Sequence, residues 1–405
     1  MYFSKPDPFT AKLHKPLMNA AAQALQQVFK ENRYTDKVLE RLFKQNKQLG
    51  SRDRKFIAET VYDVVRHYRL LSEITGSPNN YWFMMAVYFV LRGIELPDWP
   101  EFKHIDTQQI FKTYDRLKKQ FAVYHSYPEE LNRLGEQEMG VENWQREAVA
   151  MNESAEVVLR VNTLKAEKQD LKKLLASENI ETNEHPEYPN ALLLKKRANV
   201  FTWKAFQDGL FEIQDAGSQA IGSFAEAKPG ETVIDACAGA GGKSLHLAAI
   251  MKNKGSILSM DVADWKLKEL ERRAGRASVK IIKTKLIESS QTIASLKEKA
   301  DVLLLDVPCS GSGVFKRNPD AKWKFTMEGF TKTLLLQKQI LQDYAVMLKP
   351  GGRLIYSTCS IFPSENRKQV DAFLKNNSNF EMMMEKSINP HQGFDGFYMC
   401  KLLKK

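Results

Sequence analysis

From residue 225 onward the chain alternates between two textures. "ETVIDACAG", "GSILSMDVA", "ADVLLLDVP" and "GGRLIYSTC" read as short apolar strands. "GGKSLHLAAI", "WKLKELERRAGR" and "LLLQKQILQDYAVML" read as helices between them. Short apolar strands separated by helices of about 10–15 residues imply a mostly parallel sheet covered by helices. The expected fold class is therefore α/β for this part of the chain.

The rest has a different pattern. In "KFIAETVYDVVRHYRLL", Phe56, Ile57, Thr60, Val61, Val64, Val65 and Tyr68 recur at three- and four-residue spacing, one apolar stripe of a helix. Residues 16 to 140 read as helical throughout, with the Gly-Ser break of "LGSRDRKF" opening one helix. From 155, "EVVLRVNTLK" alternates like a strand, "KKLLASENI" looks helical, and "ALLLKKRANVF" looks like a strand and a turn. A length of 405 residues suits two or three domains. The expected divisions are a helical domain over 1–145, a small mixed subdomain over 146–224 and the α/β domain over 225–405.

Lys and Arg total 60 against 49 Asp and Glu, a formal charge of +11, which suits a polyanionic partner such as nucleic acid. Arg52, Arg54, Lys55, Arg66 and Arg69 are candidates for phosphates, and a solvated helix face explains them equally well. The four cysteines, Cys237, Cys309, Cys359 and Cys400, are too few and too scattered for a disulfide framework, and no CxxC pair suggests zinc. "MYFSKPDPFTAKLHKP" lacks the apolar region of a secretory signal, and the run "YWFMMAVYFVL" is too short to span a bilayer and reads as a buried helix. A cytoplasmic monomer without metal is expected.

"VIDACAGAGGKSLHLAAI" is a strand running into a glycine-rich turn and a helix. Gly239, Gly241 and Gly242 permit a tight turn and close approach of backbone to a ligand. The pattern is neither GxGxxG nor the GxxxxGK(S/T) phosphate loop. The next strand ends at Asp261, placed to take the hydroxyls of a ribose. Without a phosphate fingerprint, a nucleoside-type cofactor such as S-adenosylmethionine fits better than NAD.

Cys309 and Cys359 each follow a predicted strand end in the same sheet, where doubly wound folds bind their ligands. Two thiols, an acid and a methyl donor suit one chemistry. C5 of a pyrimidine is a poor nucleophile until a thiolate adds to C6. One thiol attacks, a second assists release, and an acid near N3 holds the cytosine as electron density enters the ring. A cysteine on a strand is otherwise a common small core residue, and Cys400 reads as core or surface filler. Cys237 can simply pack within its turn.

"DVPCSGSG", "STCS" and "DACAGAGGKS" together resemble the RNA 5-methylcytosine methyltransferases of the RsmB/Nop2/Sun family. "LRVNTLK" at 159–165, "FEIQDAGSQ" at 211–219, "IFPSEN" at 361–366 and "DGFYM" at 395–399 extend the likeness. The segment "LGSRDRKFIAETVYDVVRH" resembles the NusB-like domain of the branch that modifies bacterial small-subunit rRNA.

The resemblance implies a Rossmann-like class I S-adenosylmethionine-dependent methyltransferase fold. A small α+β subdomain and an all-helical NusB-like RNA-binding domain would precede it. It implies Cys359 as the nucleophile, Cys309 as the group promoting release, and Asp306 at the target cytosine and beside the cofactor. Lys243 lies in the active-site region. Cys237, Ala238, Gly239, Ala240, Gly241, Gly242 and Lys243 would surround the methionine part of the donor, and Asp261 would bind its ribose. RNA, rather than DNA, follows from the resemblance alone, with small-subunit rRNA first and tRNA or another rRNA site as alternatives.

Two departures stand out. The family usually reads Cys-Ala-Pro-Gly-Gly-Lys where this chain has "CAGAGGK". It also commonly carries an acid near the adenine where this chain has Thr284 and Lys285. The stretch "KRNPDAKWK", with Lys316, Arg317, Lys322, Trp323 and Lys324, either grips phosphates and stacks a base at the mouth of the site or is a basic helix with a buried Trp. Two other classes compete: a non-catalytic RNA-binding or ribosome-assembly factor, which would need neither thiol, and a thiol esterase using His246 or His391 as base.

Overall fold

The computed structural model describes residues 13–405; the start of the stretch read as lacking a secretory signal lies outside them. The chain divides into two compact units. One runs to Asn152 and includes Phe315–Thr326; the other is Glu153–Val314 with Met327–Lys405.

Among the described residues the first unit is all-helical. Its helix Ser51–Arg66 buries the predicted stripe, with Phe56, Ile57, Val61, Val64 and Val65 at most 7 % exposed. The apolar run is the helix Tyr81–Leu91, nine of whose eleven residues are buried because it is apolar all round. Asn80 caps it, its side-chain oxygen accepting from the Phe83 N–H at 3.0 Å. No helix among the described residues is long and apolar enough to cross a membrane. The helix Val141–Met151 carries the unit to Asn152. Trp144 sits edge-on to Tyr127 and donates its indole N–H to Asn132 at 2.8 Å.

This unit bears on two readings that the sequence leaves open. Lys322 is fully buried, its ammonium donating to the Arg66 carbonyl at 2.8 Å and Asn152 Oδ1 at 3.0 Å, over the Tyr127 ring. Trp323 donates to the Val65 carbonyl at 2.7 Å, and Lys316 is 2 % exposed. These side chains are packed into the helical unit and grip no phosphate. Arg66 is likewise internal, donating to the carbonyls of Phe315 and Lys316, and Arg69 donates to the Tyr127 carbonyl at 2.6 Å and pairs with Glu129. Arg54, Arg66 and Arg69 thus reach backbone carbonyls, while Lys55 approaches Glu59 at 3.9 Å.

The second unit holds two sheets. β1 (Val158–Val161), β2 (Thr182–His185), β3 (Tyr188–Leu194) and β4 (Phe211–Ile213) form an antiparallel sheet in the order β2-β3-β1-β4. One face packs the helix Lys168–Ser177 through Leu159, Val161, Leu171, Leu175 and Leu192. The other meets Ala216 and Phe394 through Val158, Tyr188 and Ala191.

The larger sheet contains β5 (Thr232–Asp235), β6 (Ser256–Asp261), β7 (Ile282–Leu286), β8 (Ala300–Asp306), β9 (Leu348–Thr358), β10 (Phe380–Ile388) and β11 (Phe397–Lys404). Its order is β10-β11-β9-β8-β5-β6-β7, with β5 to β9 parallel and β10 and β11 antiparallel at one edge. This is the Rossmann-like class I methyltransferase fold. The run in β8 explains itself: Leu303 and Leu305 enter one core, Val302 and Leu304 the other, all fully buried. A strand covered on both faces has no solvent side to make polar, and each such side chain contributes roughly 2 kcal/mol.

Candidate active site

Because β8 and β9 are parallel neighbours, with Asp306 opposite Ser357, their carboxyl ends open on the same side of the sheet. The chain leaves β8 through Val307 and Pro308 to Cys309, and leaves β9 directly into Cys359. The two sulfurs lie 3.1 Å apart, partly exposed. The Gly313 N–H donates to the Cys359 carbonyl at 2.9 Å and ties the two strand ends together.

Beneath the sulfurs lies a carboxylate hub. Glu365, fully buried, accepts from the Ser310 N–H at 2.7 Å, the Ser310 hydroxyl at 2.5 Å, Gln337 Nε2 at 3.0 Å and the Ser360 hydroxyl. Gln337 also donates to the Pro308 carbonyl at 2.9 Å. Thus the residues following both cysteines hang from one side chain. Glu365 lies in the stretch "IFPSEN", where its place between Ser364 and Asn366 gives no local sign of this task.

Asp306, the last residue of β8, accepts from Lys243 Nζ at 2.6 Å on one oxygen and from the Ser357 hydroxyl at 2.9 Å on the other. Burial pulls the Lys243 ammonium down, but the Asp306 charge and hydrogen bond outweigh it, so Lys243 is held above an ordinary lysine. Hydrogen bonding to Cys359, then burial, pushes the Cys309 thiol well up. Burial, followed by the Asp235, Asp306 and Asp261 carboxylates, does the same to Cys237. Cys400 is core, fully buried on β11. Neither ring nitrogen of buried His246 bonds to a protein group, so His246 serves neither thiol as a base.

The glycine turn joins β5 to the helix Gly242–Ile250. Gly239 and Gly241 adopt φ of +53° and +84°, and a Cβ on Gly241 would lie 2.3 Å from Leu270. The Gly239 N–H donates to Asp261 Oδ2 at 3.0 Å, while the other oxygen of Asp261 accepts from the Ala263 N–H at 2.9 Å. Predicted loop and predicted acid therefore meet. Open space surrounds the missing Cβ of Gly239, and apolar Val262 beyond Asp261 is 71 % exposed. These residues fit a nucleoside-type donor: backbone for its polar chain, a carboxylate for ribose, an apolar face for a base. Thr284, at the departure on the adenine side, hydrogen-bonds Glu271 at 2.5 Å.

Asp235, at the end of β5, is fully buried and accepts from the Ser244 hydroxyl at 2.6 Å. Burial raises its carboxyl from 3.8 to about 7 against that hydrogen bond. The folded state therefore holds a proton that the unfolded chain loses near pH 4. The stability this confers is complete below pH 4 and lost as pH rises to 7. Asp235→Asn should thus gain on wild type by roughly 1.4 kcal/mol per pH unit across that window. Thermal unfolding at pH 5 and pH 8 checks this, and an equal difference at both values would mean the buried carboxyl is already ionised.

The family described as 16S rRNA methyltransferase RsmB/F matches residues 224–403, and the RsmF/B-like ferredoxin-like domain matches 127–201. The ribosomal RNA small subunit methyltransferase B of Vibrio vulnificus is 31 % identical, covering 73 % of this chain and 72 % of that protein. The probable ribosomal RNA small subunit methyltransferase B of Synechocystis is 28 % identical, covering 94 % and 97 %. A solved methyltransferase homologue from Pyrococcus horikoshii superimposes with a TM-score of 0.62 at 29 % identity, over 72 % of this chain and 98 % of that one.

Proposed function

The chain belongs to the RsmB/F family of 16S rRNA methyltransferases, and on that premise we propose that it forms 5-methylcytosine in small-subunit rRNA through a covalent cysteine adduct. The observation that carries the proposal is the pair of sulfurs 3.1 Å apart at adjacent strand ends, beside Asp306 and Lys243. An RNA-binding factor would need none of these groups.

S-adenosylmethionine, held by residues 237–243 and Asp261, supplies an electrophilic methyl group. The chain's own residues do the rest. The Cys359 thiolate adds to C6 of a cytosine taken out of its stack, and the C5–C6 double bond becomes an enamine whose C5 is nucleophilic. Asp306 faces the N3 and N4 edge. Two of its four lone-pair positions are taken by Lys243 and Ser357, leaving two for the base. Once C5 carries the methyl group, the C5 proton passes to water, the electrons of that C–H bond re-form the C5–C6 double bond, and Cys359 leaves as the thiolate with the pair from the C6–S bond. Cys309 promotes that release from 3.1 Å away.

Incubation with methyl-labelled S-adenosylmethionine and separated RNAs, followed by nucleoside analysis, tests the proposal. Label is expected in 5-methylcytidine of small-subunit rRNA. Label in tRNA would move the substrate but keep the chemistry, and label on any other base or atom would overturn the covalent mechanism.

A further inference from the structure

The glycine turn has two left-handed glycines and no proline, so something else must fix it. The answer lies behind the turn. Arg160 of β1, 2 % exposed, donates to the Gly242 carbonyl at 2.6 Å and to Gln214. Arg273, on the helix Asp264–Arg276, donates to the Ala240 carbonyl at 2.6 Å. Its other nitrogens meet Glu212 at 3.0 and 3.3 Å. Glu212, 3 % exposed, stands opposite Arg160 in the β1–β4 pairing and also binds Arg276, which lies on the Phe206 ring at 3.9 Å. Two guanidinium groups, both referred to the small four-stranded sheet, hold alternate carbonyls of the turn.

We infer that Arg160 and Arg273 are positioning residues for the methyl donor: they preorder residues 239–242, so that the small subdomain sets donor affinity. The inference rests on reading this turn as the donor site. Neither arginine touches reacting atoms; each acts through backbone carbonyls. A guanidinium suits the task because its planar fork can reach a carbonyl and a carboxylate at once, which an ammonium does less well.

The test uses the full chain with Arg273→Met, Arg273→Lys and Arg160→Met. Calorimetric titration with S-adenosylmethionine, without RNA, should show binding weakened about tenfold in both Met variants, as expected for losing a charge-assisted hydrogen bond. Arg273→Lys should recover part of the loss. Amide hydrogen exchange of the donor-free protein should quicken across 238–245 while β8 and β9 keep their protection. With saturating donor, kcat and the KM for RNA should stay within about threefold of wild type. Arg273, less deeply buried, serves if Arg160→Met fails to fold. Wild-type affinity in the variants, or unchanged exchange in the turn, overturns the inference alone. Failure of the wild type itself to bind S-adenosylmethionine overturns the donor-site reading and the inference with it.

Discussion

Alanine at position 309 is expected to leave the enzyme covalently attached to its RNA. Cys359 remains free to add to C6, because its position is set by β9 and the Gly313 N–H bond to its carbonyl, neither of which depends on the Cys309 side chain. Release is different. In the proposed mechanism it requires a group beside the Cys359–C6 bond, and the Cys309 sulfur lies 3.1 Å from that of Cys359. Removing a positioned acid–base group costs about 10²–10⁴ in rate, enough to make release slower than attack. Cys309→Ala should therefore show a nuclease-sensitive shifted band on a denaturing gel, with turnover down at least about a hundredfold. Cys309→Ala/Cys359→Ala should show none, and Cys359→Ala alone should be inactive without an adduct. The position of the attached nucleotide would name the target. An adduct that persists without Cys359 would assign attack to a different residue. A folded Cys309→Ala enzyme turning over normally would remove the second thiol from the mechanism.

The parts of this site legible in the sequence were those fixed by the sheet. Strands that alternate with helices must run parallel, so Asp306, Cys309 and Cys359 had to surface at one edge, and Gly239 and Asp261 at the same edge. Glu365, Arg160 and Arg273 were not legible in this way. Each works through contacts with segments far along the chain, and nothing in local spacing says which carbonyl or hydroxyl a polar side chain will meet. Lys322 and Arg66 show the opposite error. Cations are rarely buried, so a basic stretch reads as surface, whereas here a helical core takes in both heads by satisfying them with carbonyls and aromatic faces. Legibility thus follows backbone hydrogen bonding and apolar periodicity, and fails where side-chain polar groups build the tertiary structure.

The pair Lys243–Asp306 should behave as one unit. Their 2.6 Å contact is largely shielded, with side chains 14 % and 26 % exposed, so removing either partner strands a charge at a cost of about 3 kcal/mol. Asp306→Asn keeps the shape but loses the charge that steadies cytosine during attack, and kcat should fall by about 10²–10⁴. Lys243→Met should fall comparably, because Asp306, released from its partner, is free to turn away from the base. If Lys243 acts by orienting Asp306, the double variant should be little worse than Asp306→Asn alone. Two independent roles would instead multiply. Donor titration separates the sides of the site. On the proposed reading Asp306 meets both cofactor and target, and an unchanged affinity for S-adenosylmethionine in Asp306→Asn would place the lost rate on the cytosine. Weakened donor binding with kcat preserved at saturation would place Asp306 with the cofactor instead, and leave activation of the base to the thiols.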